Sequence, residues 1–289
     1  MIRLDAATVL LQWAAGGLLF LWVTTRAREV GIGYGWLVRG TYILMAAGAL
    51  AVGLATGPVP VREASAAAVV VASGVALGVS IVRRKAGVAR DRERQERRSE
   101  RVAAMVGAER TGIERRAGAP DPTVPEFPPV LDLVAPLVAV PGLVAAGIDA
   151  GDPAWLSVAR VLVGAAFLGA ISDGMLLGHW YLVQPGLARR PLLEMVRWTG
   201  LVWPAEVLLL LVPTGMVSVL NGTIDDGYNG MLGWFWVACA VTTIGLVVVT
   251  RAALKERYYS AVMAATGLLY LAILTAFGTD LVARALLAT

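Results

Sequence analysis

The stretch WLSVARVLVGAAFLGAISDGMLLGHWYLV, residues 155–183, decides the class of fold. Within it, Arg160, Asp173 and His179 are the side chains that can carry a charge near neutral pH. A helix of about 20 apolar residues crosses the ~30 Å hydrocarbon core of a bilayer. These 29 residues would rise about 44 Å. The stretch therefore predicts a transmembrane helix that tilts, or that extends into the lipid head groups at its His179 end.

Long apolar blocks of this kind make up most of the chain. Hydrophobic residues are 57% of the 289 residues, charged residues are 16%, and the mean hydropathy is +0.70. The blocks show none of the period-two alternation of a membrane β-barrel, and helices satisfy their own backbone hydrogen bonds in lipid. The sequence predicts an all-α integral membrane protein with an eight-helix transmembrane bundle. The eight blocks are 6–25, 35–56, 65–82, 129–148, 155–183, 192–213, 230–250 and 258–284.

The loops between these blocks alternate in charge. Loops that follow odd-numbered helices are rich in arginine, whereas loops that follow even-numbered helices are acidic or carry balanced charges. Because short basic loops are retained in the cytoplasm, the alternation predicts that the N and C termini lie outside and that the basic loops face the cytoplasm. The expected location is the cytoplasmic (inner) membrane.

One hydrophilic segment divides the chain into helices one to three (1–82), a basic cytoplasmic arm with a Pro-rich linker (83–128) and helices four to eight (129–289). Residues 83–116 hold twelve Lys/Arg and six Asp/Glu, so the net charge of +4 comes from this segment and does not indicate nucleic-acid binding. The arm fits a helical segment that its charge holds near anionic lipid. It also fits a docking site for a soluble partner or for partner subunits of a membrane complex.

Short matches at an offset of 158 residues indicate an internal repeat. LLFLW (18–22) aligns with LLGHW (176–180), and LVRGT (37–41) aligns with MVRWT (195–199). The matched helices have the same predicted orientation, so the pattern favours a parallel 4+4 duplication. Leu21 is then the counterpart of His179, and any histidine function belongs to one half.

Two GxxxG pairs predict close helix packing. Gly74–Gly78 and Gly174–Gly178 each place two glycines one turn apart. Without side chains at these positions, a neighbouring helix can approach the backbone closely. The second pair predicts a near neighbour against the turn that holds Asp173 and His179.

His179 is the only histidine of the chain and stands beside Trp180 and Tyr181. A neutral imidazole can ligate haem iron, hydrogen-bond a quinone carbonyl or relay a proton. Met175 lies about one turn earlier on the same face, which could supply a His and a Met to a haem b. His179 is a metal ligand only if haem is bound. The alternative is an interfacial histidine in an aromatic belt.

Asp173, Glu206 and Arg160 lie inside apolar blocks. A charge at the centre of a membrane helix costs ~2.5–3.5 kcal/mol on insertion scales, so we expect these groups to face the bundle and find partners. Asp173 lies about 120° around the helix from His179, which disfavours a direct pair. Glu206 follows Pro204, and a kink there suits a proton relay or a quinone pocket. The alternatives are a transport or proton path lined by all three groups, and a structural pairing of Glu206 with Arg160.

Arg39 and Arg197 occupy equivalent positions in the proposed repeat. If both point inward, the two arginines could hold the head group of a lipid or a quinone. Arg197 also stands three residues after Glu194, and a surface salt bridge between them is the simpler interpretation. Three further charged residues lie near helix ends and are expected at the membrane interface: Asp132, Asp280 and Arg284.

No soluble catalytic motif occurs in the sequence. Cys239 is the only cysteine, and there is no CxxCH haem attachment, phosphate-binding loop or nucleophile elbow. The chain is therefore expected not to be an enzyme by itself. The leading hypothesis is a non-catalytic membrane subunit of a redox or respiratory assembly, with a haem or quinone near His179. The alternatives are a transporter or channel for a small solute or lipid, and an assembly protein that recruits a partner through its arm.

Overall fold

The computed structural model of the chain describes residues 4–86, 88, 124–184, 187–212, 215–256 and 258–288. Most of the predicted cytoplasmic arm falls on residues 89–123. The expected contacts of the arm with anionic lipid or with a partner therefore lie outside the described residues.

All regular secondary structure in these described ranges is helical. Each of the eight apolar blocks falls on a helix of at least 19 residues. A five-residue helix, α7, was not predicted. The helices are α1 (Ala6–Thr25), α2 (Ile32–Thr56), α3 (Pro60–Val82), α4 (Leu131–Asp149), α5 (Ala154–Val183), α6 (Arg190–Leu211), α7 (Met216–Leu220), α8 (Met231–Ala253) and α9 (Tyr259–Leu286).

Seven of the long helices in the described residues are long and apolar enough to cross a membrane. The long helix outside this group is α6, which has 22 residues but carries four charged side chains. They are Arg190, Glu194, Arg197 and Glu206. The chain therefore has the architecture of a multi-pass membrane protein, and the count of eight spans depends on α6.

The long helices pack as two groups of four. In the first group α1 packs on α2, α2 on α3, α3 on α4, and α4 returns to α1. In the second group α5 packs on α6, α6 on α8, α8 on α9, and α9 returns to α5. The groups meet mainly where α1 and α4 contact α5. We refer to residues 4–149 as the first half and to residues 154–288 as the second half.

The contact between α1 and α5 is a backbone approach at glycine. A Cβ atom added to Gly16 would lie 1.7 Å from the carbonyl oxygen of Ala165. A Cβ atom added to Gly169 would lie 2.1 Å from the carbonyl carbon of Gly16. Neither position has room for a side chain, so these two glycines set how closely the two halves approach.

One of the two GxxxG predictions is confirmed. A Cβ atom on Gly178 would lie 2.9 Å from the Thr266 hydroxyl, and one on Gly174 would lie 3.5 Å from the Met195 side chain. The prediction for Gly74 and Gly78 is wrong, because both face open space on α3. A glycine spacing alone does not tell which face of a helix has a neighbour.

The connections that follow α1, α3, α5 and α8 meet at one end of the bundle, which we call the basic end. Arg28 contacts Glu126 at 3.1 Å, joining the α1–α2 and α3–α4 connections. The Arg189 guanidinium donates to the Leu254 and Tyr258 carbonyl oxygens at 3.3 and 2.8 Å, joining the α5–α6 and α8–α9 connections. The helices therefore alternate in direction, as the charge pattern of the loops predicts.

At the other end, Asp226 fixes the start of α8. Its carboxylate accepts hydrogen bonds from the backbone N–H groups of Tyr228, Gly230, Leu232 and Gly233 at 2.8–3.3 Å. Desolvation pushes the pKa of Asp226 up, but these four donors outweigh it, and the pKa lies below its usual value. The carboxylate is thus a charged cap for the first turn of the helix.

Candidate functional site

Five polar side chains from four helices form a cluster inside the bundle, which we call the polar cluster. Each of the five side chains is fully buried. Four of them lie five or six residues from the end of their helix, about 9 Å from the end of the bundle opposite the basic end, and Arg284 lies two residues from the end of its helix. The members are Gln12 of α1, Arg160 of α5, Glu206 of α6, and Asp280 and Arg284 of α9.

Arg284 connects the cluster across the two halves. Its Nε donates to Asp280 Oδ2 at 2.8 Å, and its Nη2 donates to Gln12 Oε1. Gly164 leaves the space that the Gln12 amide fills, because a Cβ there would lie 2.4 Å from Gln12 Nε2. Asp280 and Arg284 are both buried, and their partners lie on α1 and α9. Their expected depth at the membrane interface stays a prediction.

Arg160 and Glu206 lie in the same cluster but do not form the predicted direct pair. Arg160 Nε donates to the Leu209 carbonyl oxygen at 2.8 Å, three residues beyond Glu206 on α6. Arg160 and Arg284 are both within electrostatic range of the Glu206 carboxylate. Helix α6 runs without a break through Pro204, which places Glu206 on the face that points into the bundle.

The Glu206 carboxylate has an unusual neighbour. Neither of its oxygens receives a hydrogen bond from a donor in the described residues, and Asp280 Oδ1 also lacks one. The Asp280 carboxyl group lies within electrostatic range of the Glu206 carboxyl group. Ionised carboxylates only accept hydrogen bonds, and two of them close together disfavour the ionisation of both. Two acids with unsatisfied oxygens are therefore neighbours inside the bundle.

Asp173 occupies a second buried polar position. Tyr42 donates its hydroxyl to Asp173 Oδ1 at 2.6 Å, and the Tyr34 hydroxyl lies 3.4 Å from the Asp173 carbonyl oxygen. The Tyr42 ring lies where a side chain on Gly17 would stand. Asp173 Oδ2 has no partner in the described part of the chain. The predicted inward orientation is confirmed, and the side-chain partner of Asp173 is the Tyr42 hydroxyl.

The polar cluster and Asp173 are separate sites on one helix. Thirteen residues of α5 separate Arg160 from Asp173, which is about 20 Å along the axis. Both sites cross from one half to the other, through Gln12 and Arg284 in the cluster and through Tyr42 and Asp173 in the second site. The structure thus brings Glu206 and Arg160 together and leaves Asp173 apart, nearer the basic end.

Arg39 is not available to a head group. It forms a bidentate pair with Asp132, with both N···O distances at 2.7 Å, and its guanidinium stacks over the Phe127 ring at 4.4 Å. Thr25 also donates to Asp132 Oδ2 at 3.0 Å. Both charged side chains are almost fully buried. Asp132 is therefore enclosed by α2 and α4 at the basic end, and its expected depth at the membrane interface stays a prediction.

Arg197 lies on the exposed surface of α6, so it shares no site with Arg39. Its predicted partner Glu194 pairs instead with Arg26 of α1, at 2.5 Å. The surface around Arg197 is concave.

His179 lies on the outside of the bundle. Its ring is exposed, and Nδ1 lies 3.3 Å from the Tyr270 hydroxyl of α9 with the two rings nearly perpendicular. Asp173 is buried on another face of the same helix, as its angular offset predicts. Among the described residues, the hydrogen-bonding neighbour of His179 is Tyr270, on the surface between α5 and α9.

The residues around His179 point in different directions. Trp180 is half-buried and donates to Gln184 Oε1 at 2.9 Å, and Met175 is half-buried against the core. Tyr181 is buried, and its hydroxyl donates to the Ala188 carbonyl oxygen. The structure does not gather these three side chains and His179 into one site.

Among the described residues, no group of three or more His, Cys, Asp or Glu side chains could hold a metal ion. Cys239 is buried in α8. Comparison with protein-family models, with curated proteins and with solved structures finds no match.

Sequence reasoning missed three members of these sites: Gln12, Tyr42 and the role of Asp280. A glutamine in the apolar run VLLQWAAGG is a signal that a polar neighbour lies opposite it. Tyr42 carried no such signal, because tyrosine is common in membrane helices at many depths.

Proposed function

We propose that the chain is a proton-dependent membrane transporter for a small solute, with a path lined by Glu206, Arg160 and Asp173. It lies in the cytoplasmic membrane with eight spans and with the basic end in the cytoplasm. The gathering of the basic loops at one end supports this orientation. The packing of α6 between α5 and α8, and its length of 22 residues, support counting it as a span.

The observation that carries the proposal is the Glu206–Asp280 pair. Two carboxyl groups lie within electrostatic range of each other inside a membrane bundle, and three of their four oxygens receive no donor from the described residues. Acidic groups at such depth are expensive and mark ion or proton pathways. A structural role alone would be better served by a fully hydrogen-bonded arrangement.

Proton binding would change the charge of a site that holds the two halves together. With both acids ionised, the polar cluster is neutral, because Arg160 and Arg284 balance Glu206 and Asp280. One added proton gives it a net positive charge in a low-dielectric interior, where an unbalanced charge is costly. That cost favours an arrangement that exposes the cluster, and thus couples proton uptake to movement between the halves.

A parallel 4+4 duplication supports the same function. The two halves pack their four long helices in the same order. The end of α1 and the end of α5 are 158 residues apart, and so are the starts of α2 and α6, which is the offset of the sequence matches. Many transporters are built from such repeats and bind substrate at the repeat interface. Both buried polar sites cross that interface.

The test is a pH step applied to proteoliposomes on a solid-supported membrane, which records charge movement without a known solute. We expect a transient current in the wild type and a loss of most of it in Glu206→Gln. Asp225→Asn, which removes an exposed loop carboxylate, is the matched control and should retain the current. A current equal to that of protein-free liposomes, or an undiminished current in Glu206→Gln, would refute the proposal.

A second candidate is the redox subunit, supported by the position of His179. Its ring and the Tyr270 hydroxyl form a polar pair on the outer surface of the bundle, where a quinone or a haem carried by a partner subunit could contact them. A reduced-minus-oxidised visible spectrum of the wild type and of His179→Ala tests haem binding. Bands that disappear in the variant would support this candidate, and wild-type protein without such bands would remove haem from it.

A further inference from the structure

The exposed face of α6 changes in character along its length. Its first two turns present Arg190, Glu194 and Arg197, Trp198 comes next, and Leu201 and Leu208 follow toward the far end. These positions repeat at helical spacing, so they form one continuous stripe. The stripe therefore runs from charged side chains through an interfacial aromatic ring to apolar side chains. This order matches a phospholipid, which runs from a charged head group through the interfacial glycerol to the acyl chains.

The stripe contains a concave surface beside the cationic end. An open groove of about 640 Å³ is lined by Arg190, Leu193, Glu194, Arg197, Trp198 and Leu201. Trp198 forms the wall toward α1, where its ring packs edge-on against Phe20 at 5.9 Å. A groove of this kind at the end of a span gives a head group a defined place.

The charge of the groove is positive. Its acidic member, Glu194, is paired with Arg26 at 2.5 Å, so the Glu194 charge is already balanced. Arg190 lies 3.9 Å from Glu29, a long contact that leaves most of its donors facing outward, and its side chain is 72% exposed. Arg197 is exposed two turns further along the same face. The Arg190 and Arg197 guanidinium groups therefore both line the groove and can contact an anion bound in it.

We infer that this groove binds an anionic phospholipid, with Arg190 and Arg197 on the phosphate and Trp198 and Leu201 along the glycerol and acyl chain. Guanidinium groups form bidentate, charge-assisted hydrogen bonds with phosphate oxygens. The positive charge selects an anionic lipid over a zwitterionic one. The inference does not depend on the proposed transport function, because the groove lies outside the polar cluster.

Native mass spectrometry of the full chain, released from a mild detergent after exchange with phosphatidylglycerol or phosphatidylcholine, tests the inference. We expect phosphatidylglycerol to remain bound to the wild type, and the double variant Arg190→Gln/Arg197→Gln to retain at least tenfold less. The matched control is Arg251→Gln/Lys255→Gln, which removes the same charge from exposed positions at the same end. This control should retain phosphatidylglycerol as the wild type does.

Two further arms separate this site from its alternatives. Inorganic phosphate in excess should not displace the lipid, because it cannot occupy the apolar part of the groove; displacement would make this a site for free phosphate. Trp198→Ala should weaken retention of phosphatidylglycerol although the charge is unchanged. Equal loss in both double variants, or equal retention of the two lipids by the wild type, would overturn the inference.

Discussion

Arg39 and Asp132 illustrate how a single buried residue depends on its partner. Each charged group is removed from water, and the two are stable there because they form two short hydrogen bonds with each other. Removal of one member leaves the other as an uncompensated buried charge, which costs more than the pair contributes. The bundle should therefore be far more sensitive to the single change than to the loss of both charges.

We expect Arg39→Gln to lower the free energy of unfolding by about 3–5 kcal/mol. The double variant Arg39→Met/Asp132→Leu should recover most of that loss, since no charge is then left buried. Thermal unfolding in detergent, followed by tryptophan fluorescence, measures both changes. Arg28→Gln is the control, because Arg28 is 49% exposed and its pair with Glu126 should contribute about 1 kcal/mol or less. Equal stability of Arg39→Gln and Arg28→Gln would contradict the prediction.

The start of α8 depends on one carboxylate, that of Asp226. Asp226 binds four backbone N–H groups that the first turn of the helix would otherwise leave without partners. Its pKa is lower in the folded chain than in the unfolded chain. Its contribution is therefore fully present above the unfolded value of about 3.9 and is lost as the pH falls through the lower folded value.

Asp226→Asn should accordingly lower the Tm at neutral pH, and the difference from the wild type should shrink as the pH falls below about 4. Scans of Tm against pH for the two proteins measure this. The neighbouring Asp225→Asn should behave as the wild type does, because Asp225 is exposed and accepts one hydrogen bond, from Gly227. A Tm difference for Asp226→Asn that stays constant down to pH 3 would show that the cap acts through shape and not through charge.

The helices themselves could be predicted from the sequence, because the length and apolarity of each block are local properties. The alternating direction of the helices could also be predicted, because the charge of each loop is a local property of the sequence. The buried polar contacts could not be predicted from the sequence. Arg39 and Asp132 are separated by the hydrophilic segment, and Gln12 and Arg284 lie at opposite ends of the chain. Proximity to a helix end indicated the interface for Asp280, and only the packing of α9 against α5 and α1 explains its burial.

The packing of the two halves depends on the crossing of α1 and α5. Gly16 and Gly169 bring the two backbones into contact, and there is no flexible side chain at this point that could move aside. A methyl group at either position must therefore separate the helices. The polar cluster and the Tyr42–Asp173 contact lie on either side of the crossing, so a separation would disturb both.

Gly169→Ala should destabilise the bundle by about 1–3 kcal/mol or more, as overpacking of a filled interior does. It should also weaken the charge movement expected after a pH step. Gly74→Ala is the matched control, because Gly74 lies in a membrane helix but faces open space. In that control, replacement of glycine by alanine in a helix should be neutral or slightly stabilising. Unchanged stability of Gly169→Ala would mean that the halves can separate at no cost.

The halves are tied together differently at their two ends. Residues 150–153 are the only chain between α4 and α5, so a short covalent link joins the halves opposite the basic end. At the basic end the halves are joined by Arg26–Glu194 and Arg190–Glu29, whose arginine side chains are 41% and 72% exposed. Salt screens exposed ion pairs and leaves a peptide linkage unaffected. Higher ionic strength should therefore weaken the contacts between the halves at the basic end and leave the link between α4 and α5 unchanged.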